Sequence, residues 1–190
     1  LSYRLVATPG AYDPREIDVG LETGAAVIKM QSKDFSSGNL AGYFSFRDGP
    51  LAAAQNALGR IAMGVAETVN TQHRLGQDRY GAMGADYFSV SQPVTLASKF
   101  NSGTATVAAE VSDVSELVAS DYRLGFDGSN YQLTRLSDNS VRTLAALPAD
   151  IDGLTIQLSS GAAIAGDTFE IRPNRHASSS INLQILDPAK

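Results

Sequence analysis

The sequence predicts an α+β fold, in which a β-hairpin and one long helix lead into a mainly antiparallel β-sandwich or barrel-like domain. Three observations carry this. From Leu51 onward, apolar residues recur at spacings of three, four and seven, the signature of one helix face. From about Asp86 to Leu186 the chain breaks into short alternating runs with turn residues about every ten positions, as in small all-β domains. Ahead of the helix stand short extended runs, too few to bury a core of their own.

The first zone, Leu1 to about Ser37, contains Tyr3–Ala7 and Ala25–Met30 among Pro9-Gly10, Asp13-Pro14 and Thr23-Gly24. Turn residues around β-rich runs predict a hairpin or two ragged strands. The second zone, about Asn39 to Leu75, is helical. Leu51, Ala54, Leu58, Ile61, Val65 and Val69 fall on one stripe, and Asn56, Arg60, Glu67 and Arg74 on the opposite face. Asp48-Gly49-Pro50 interrupts the pattern. Asp is a good N-cap and Pro is tolerated in a first turn, so a new helix is expected there, with Leu40–Arg47 forming a shorter helix at an angle to it. Gly59 and Gly64 each weaken the long helix by about 0.8–1.0 kcal/mol relative to Ala, so tertiary packing must hold it.

In the third zone, Thr104–Val111 alternates and is rich in Thr, Val and Ala. Tyr122–Phe126 and Tyr131–Leu136 flank Asp127-Gly128-Ser129-Asn130, a hairpin signal. A second hairpin crosses Ser137–Ser140 into Val141–Leu144. Leu154–Leu158, Thr168–Arg172 and Ile181–Ile185 supply further strands. The expected division is residues 1–83, hairpin plus helix, and residues 84–190, the antiparallel β domain.

Composition narrows the function. Of the 190 residues, 43% are apolar and 18% charged, which excludes a disordered tail. The net charge of −5, with Lys and Arg scattered singly, argues against a nucleic-acid partner, which needs clustered cations. Without cysteine there is no disulfide, no thiolate metal site and no cysteine nucleophile. No apolar run approaches the roughly 20 residues of a membrane span, so no membrane insertion is expected. Leu1-Ser2-Tyr3-Arg4 does not open a signal peptide, but the chain does not begin with Met, and missing targeting signals prove nothing.

A catalytic site needs convergent titratable groups, and few are available. His73, beside Arg74, suits a helix C-terminus or an edge; His176 lies in the polar connection Arg172–His176. Asp86, Asp113, Asp121, Asp127, Asp138, Asp150, Asp152 and Asp167 mostly mark turns, as Asp does by bonding nearby backbone. A glycosidase carboxylate pair could be drawn only from distant members of that set. Asp127–Asn130 lacks the continuation of a calcium loop. Gly81-Ala82-Met83-Gly84 lacks the Lys-Ser/Thr of a phosphate loop and is expected to be a flexible corner. There is no Gly-x-Ser-x-Gly elbow. The sequence thus predicts no enzyme: no catalytic, cofactor-binding or metal residues, and no cofactor. What remains is a candidate helix-packing surface, Leu51, Leu58, Ile61, Val65 and Val69, which packs either on this chain's own strands or on helices outside it.

The ordered series Gly38–Asp48, Gln55–Ala62, Val69–His73 with Gly76, and Gly81–Phe88 resembles the flagellar hook-associated protein 1 family. So do Ala119–Tyr122, Asp127–Tyr131, Asp152-Gly153-Leu154 and Gly166–Phe169, extending the resemblance over about Gly38 to Lys190. Tyr43 and Ser45 stand where the family is more aliphatic, and the first zone matches only in texture. The resemblance implies a structural subunit of the hook–filament junction, extracellular on the flagellum and exported by the flagellar type III apparatus. It also implies that the chain is the middle of a longer polypeptide, turning back toward C-terminal helices at Asp187–Lys190. The implied partners are the hook protein, the second junction protein, copies of itself in a ring, and an export chaperone bound through regions outside these residues. The alternative is a β-sandwich adhesin or carbohydrate-binding module of a phage or surface protein, for which Tyr122, Phe126 and Tyr131 would have to cluster on one exposed sheet face.

Overall fold

A computed structural model of the chain describes residues 3–24, 26–30 and 34–186. The first residue of the Ala25–Met30 run and the closing Asp187–Lys190 stretch lie outside the described residues.

The N-terminal zone is a three-stranded antiparallel sheet in the order β1 (Arg4–Pro9), β2 (Ile17–Glu22), β3 (Val27–Lys29). A hairpin or two strands were expected, so the middle strand is a correction. Ile-Asp-Val-Gly-Leu-Glu alternates strictly, as a strand with two unlike faces should. Asp18, Gly20 and Glu22 disguised it.

Helix α1 (Gly38–Phe46) continues into α2 (Ala52–Arg74) through a π-helical turn at Arg47–Leu51. No new helix starts at Asp48. Residues 46, 47, 51 and 52 all keep right-handed helical dihedrals, and the Asp48 carboxylate bonds Arg47 and does not cap. Pro50 has no N–H to give the ladder, and a single wider turn accommodates that defect without ending the helix.

The β domain has two sheets over one core. The larger runs β5 (Val94–Ala97), β12 (Thr168–Arg172), β7 (Tyr122–Phe126), β8 (Tyr131–Arg135), β9 (Val141–Leu144); the smaller runs β10 (Ala149–Ile151), β11 (Leu154–Ser160), β6 (Thr106–Val111). All pairs are antiparallel. Alternate residues point inward, so Val107, Ala109, Leu154 and Ile156 of one sheet meet Tyr122, Leu124, Leu133, Phe169 and Ile171 of the other. This is the predicted α+β class, open and not closed into a barrel. A two-stranded ribbon, β4 (Phe88–Ser89) with β13 (Asn182–Leu183), and the short α3 (Ala177–Ser180) lie beside α2. β13 is all that forms of the expected Ile181–Ile185 strand. Met63 of α2 and Ala177 of α3 belong to the same core cluster as the two sheets.

Candidate interaction surface

α2 presents two stripes, and apart from Met63 the residues facing inward are small or polar. Ala52, Asn56, Gly59, Met63, Ala66 and Asn70 are buried, spaced alternately by four and three residues. Asn56 was expected on the solvent face and is 3% exposed. Small residues win this face because the β domain approaches closely. The Asn174 carbonyl presses on Gly59, and only Met63 reaches into the core. Asn70 acts as a bracket. Its Oδ1 accepts the N–H groups of Tyr87 and Phe88, and its Nδ2 donates to the Phe88 carbonyl.

The large apolar residues of the helix face outward. Leu51, Leu58, Ile61 and Val65 are 37%, 58%, 62% and 49% exposed, and Val69 is half-buried. At 100° per residue this stripe lies about 130° around the helix from the inward one. Four such side chains in a row on a helix of more than six turns form an apolar seam. Full burial of such a side chain is worth about 1.5–3 kcal/mol, and each of these leaves part of that unrealised.

The helix ends in a hydrogen-bonded loop at the corner expected around Gly81–Gly84. Asp78 Oδ1 accepts the N–H groups of Tyr80 and Ala82, and the Asp78 N–H donates to the Ala82 carbonyl. Gly76 and Leu75 N–H groups close the last helical carbonyls at His73 and Gln72. His73 Nδ1 lies 2.7 Å from the Ala85 carbonyl, and Gly84 packs where any side chain would strike the His73 backbone. His73 is therefore a joint between helix and loop. His176 occupies the N-cap position of α3.

Two ionic hubs fix the β domain. Arg172 on β12, 4% exposed, donates to Glu170 at 2.6 Å and Glu16 at 2.8 Å, with Asp13 at 3.5 Å. Asp13 and Glu16 sit in the β1–β2 connection, so this arginine pins the N-terminal sheet to the β domain. Arg175 adds Asp121 and Glu16. Hydrogen bonds from Arg15 hold the Asp13 carboxyl down at about 2. The second hub is Asp152, in the β10–β11 turn, at φ 53° with Gly153 at φ 75°. Its carboxylate accepts Arg135 at 2.7 Å and the Tyr122 hydroxyl at 2.8 Å, joining the two sheets. Burial and that carboxylate push the Tyr122 hydroxyl well above its ordinary pKa. Asp167, another expected turn marker, is 2% exposed and accepts backbone N–H groups from Ile164, Ser102 and Gly103, which lower its pKa.

Each acid singled out in the sequence that these contacts include is occupied by arginine, hydroxyl or backbone. Among the described residues no group of three metal-ligating side chains converges. A cleft of about 400 Å³ between α2 and the ribbon is lined by Met63, Asn70, Arg74, Asp86, Phe88 and Val111, and Asp86 and Glu67 occupy its one arginine. The exposed aromatic platform does not form. Tyr122 and Tyr131 are 1% and 7% exposed, and Phe126 stacks on Tyr131 at 4.7 Å. Nothing else favours the adhesin alternative.

Residues 2–88 match the family model described as flagellar hook-associated protein FlgK helical domain, and residues 96–173 match flagellar hook-associated protein 1, D2-like domain. Flagellar hook-associated protein 1 of Escherichia coli (strain K12) is 34% identical over 98% of this chain and 35% of its own length. The protein of that name from Salmonella typhimurium is 33% identical over 98% of this chain and 34% of its own length. The solved structure of the flagellar hook junction protein FlgK from Burkholderia pseudomallei superposes with a TM-score of 0.91 at 32% identity. It covers 99% of this chain and 36% of that one. The chain thus spans about a third of the length of the curated relatives it matches.

Proposed function

The chain belongs to the flagellar hook-associated protein 1 family, and from that premise we propose that it serves as part of a structural subunit of the bacterial flagellum, in the junction between hook and filament, without catalysis. The observation that carries this is the outward seam Leu51–Leu58–Ile61–Val65 on a helix already anchored by its other face. A protein that works by being packed between neighbours needs such surfaces and needs no convergent acid–base site.

In this proposal the seam, continuing to Val69, docks on helices of the same polypeptide outside these 190 residues, since heptad spacing suits a helix–helix contact. The helical part, residues 1–83, and the β domain, residues 84–190, are then the two parts of this portion of the subunit, joined through Met63 and Arg172. Its partners are the hook protein, the second junction protein and copies of itself in a ring, with an export chaperone engaging regions elsewhere. Its location is extracellular, on the flagellum, after export by the type III apparatus. Among the described residues no helix is long and apolar enough to cross a membrane.

The test is complementation in the bacterium that encodes the protein. With the gene removed, swimming in soft agar is expected to fail and to return with the wild-type full-length protein. The Leu58→Glu, Ile61→Glu double variant is expected not to restore it. Undiminished motility without the gene would overturn the function; full rescue by the double variant would overturn the seam.

A further inference from the structure

The N-terminal sheet is turned with its polar face toward the helix. Asp18 on β2 pairs with Lys29 of β3 and with Arg47 at the end of α1, and the same Arg47 donates to the Ile17 carbonyl. In the observed register, Leu5, Leu21 and Ile28 lie side by side on the other face, with Val19 and Ile17 in the next rows. That outer face carries no charge at positions 5, 7, 9, 17, 19, 21 or 28. Leu5, Ile17 and Ile28 are 53%, 65% and 57% exposed. A sheet with one apolar face normally buries that face against a second layer, and this one has none among the described residues.

The chain also offers an unmatched layer. α1 contains Leu40, Ala41, Tyr43, Phe44 and Phe46 in nine residues and no charged side chain, the composition of a helix buried all round. Only Phe44 is buried; Tyr43 and Phe46 are 71% and 57% exposed. Three strands at about 4.8 Å and up to six residues at about 3.3 Å make a footprint of about 14 by 20 Å. Nine helical residues at 1.5 Å each make a rod about 14 Å long and 10 Å wide, which that footprint holds. Neither surface desolvates an ion on meeting the other.

We propose that the outer face of the N-terminal sheet receives α1 of a second copy of this chain. The contact deepens the self-assembly part of the proposed function and rests on it. One such contact lies below the roughly 1,200 Å² of a stable complex, so it is weak between two free copies. Because sheet and helix are different patches, the pairing is heterologous, and each copy can use both patches at once, as a ring requires.

The chain has no cysteine, so cross-linking reads the contact directly. A chain carrying Ile28→Cys is mixed with one carrying Tyr43→Cys and oxidised. Both positions are exposed, so folding is not at stake. Mixed disulfide dimers are expected to form at least tenfold faster than either like-with-like dimer. Equal rates, or a predominance of Ile28–Ile28 dimers, would overturn the proposal, the latter in favour of sheet-on-sheet pairing. The same two variants, co-expressed as full-length proteins, separate this idea from the function it rests on. Protein recovered with isolated flagella but not cross-linked sinks the contact alone. Protein absent from flagella sinks the function, and the solution cross-link still decides the contact.

Discussion

The carbonyl oxygen of Asn174 lies where the side chain of Gly59 would begin: a Cβ there would sit 1.8 Å from it. Helix and β domain touch backbone to backbone at this point, which only glycine permits. Gly59→Ala removes a helix-weakening residue yet forces the two apart, and overpacking costs about 1–3 kcal/mol. Gly64→Ala meets nothing within 4 Å and should stabilise by about 0.8–1.0 kcal/mol. Thermal unfolding of the two variants is expected to shift in opposite directions. A rise for both would mean the helix is free to move.

The two faces of α2 should respond unequally. Met63, 3% exposed in the core, should cost about 2–5 kcal/mol on truncation to Ala. Leu58→Glu, at a position 58% exposed, should change the stability of this chain by no more than about 0.5 kcal/mol. Urea unfolding distinguishes them, and comparable losses would place Leu58 inside.

Asp152 holds the sheets together through Arg135 and Tyr122. Asp152→Ala leaves Arg135 with Asp138 alone and takes the acceptor from the buried Tyr122 hydroxyl, and is expected to cost about 1–3 kcal/mol. Asp152→Asn keeps a residue that tolerates positive φ and should cost less. A denaturant midpoint for Asp152→Asn equal to that of the wild type would assign the role to turn geometry instead.

Acid should loosen the contacts of Asp13, chiefly those with Arg15. The Asp13 carboxyl titrates at about 2 in the folded chain, below its ordinary 3.8. Its contribution is therefore complete above about pH 4 and falls away as pH drops toward 2. Asp13→Asn should lower the melting temperature at pH 6 and flatten its decline between pH 4 and 2. An unchanged slope in that window would exclude Asp13 as a source.

Much of the fold was legible locally. The strands Tyr122–Phe126, Val141–Leu144 and Thr168–Arg172 stand where alternation and turn residues put them. The helical period located α2, and Asp127-Gly128 marked its hairpin. Asp48-Gly49-Pro50 misled because a proline's missing N–H breaks a regular α-helix but fits a π-turn, and only the surrounding helix chooses between them. The ribbon strand β4 and the edge strand β5 were illegible because their partners, β13 and β12, lie more than 70 residues away.

By itself, the sequence determined that there would be one long helix, a sheet ahead of it and antiparallel strands behind it. Those follow from periodicity, turn chemistry and composition, which act over a few residues. Which way the helix and the first sheet face was decided only by the tertiary structure. Hydropathy ranks Leu58 and Ile61 above Asn56 and Gly59, but it carries no information about shape. The inward seam is set by how near the Asn174 backbone comes and by the N–H groups of Tyr87 and Phe88 that Asn70 must satisfy. The first sheet turns its polar face inward because Arg47 stands there to pair with Asp18. The apolar surfaces left outside are the ones available to neighbours.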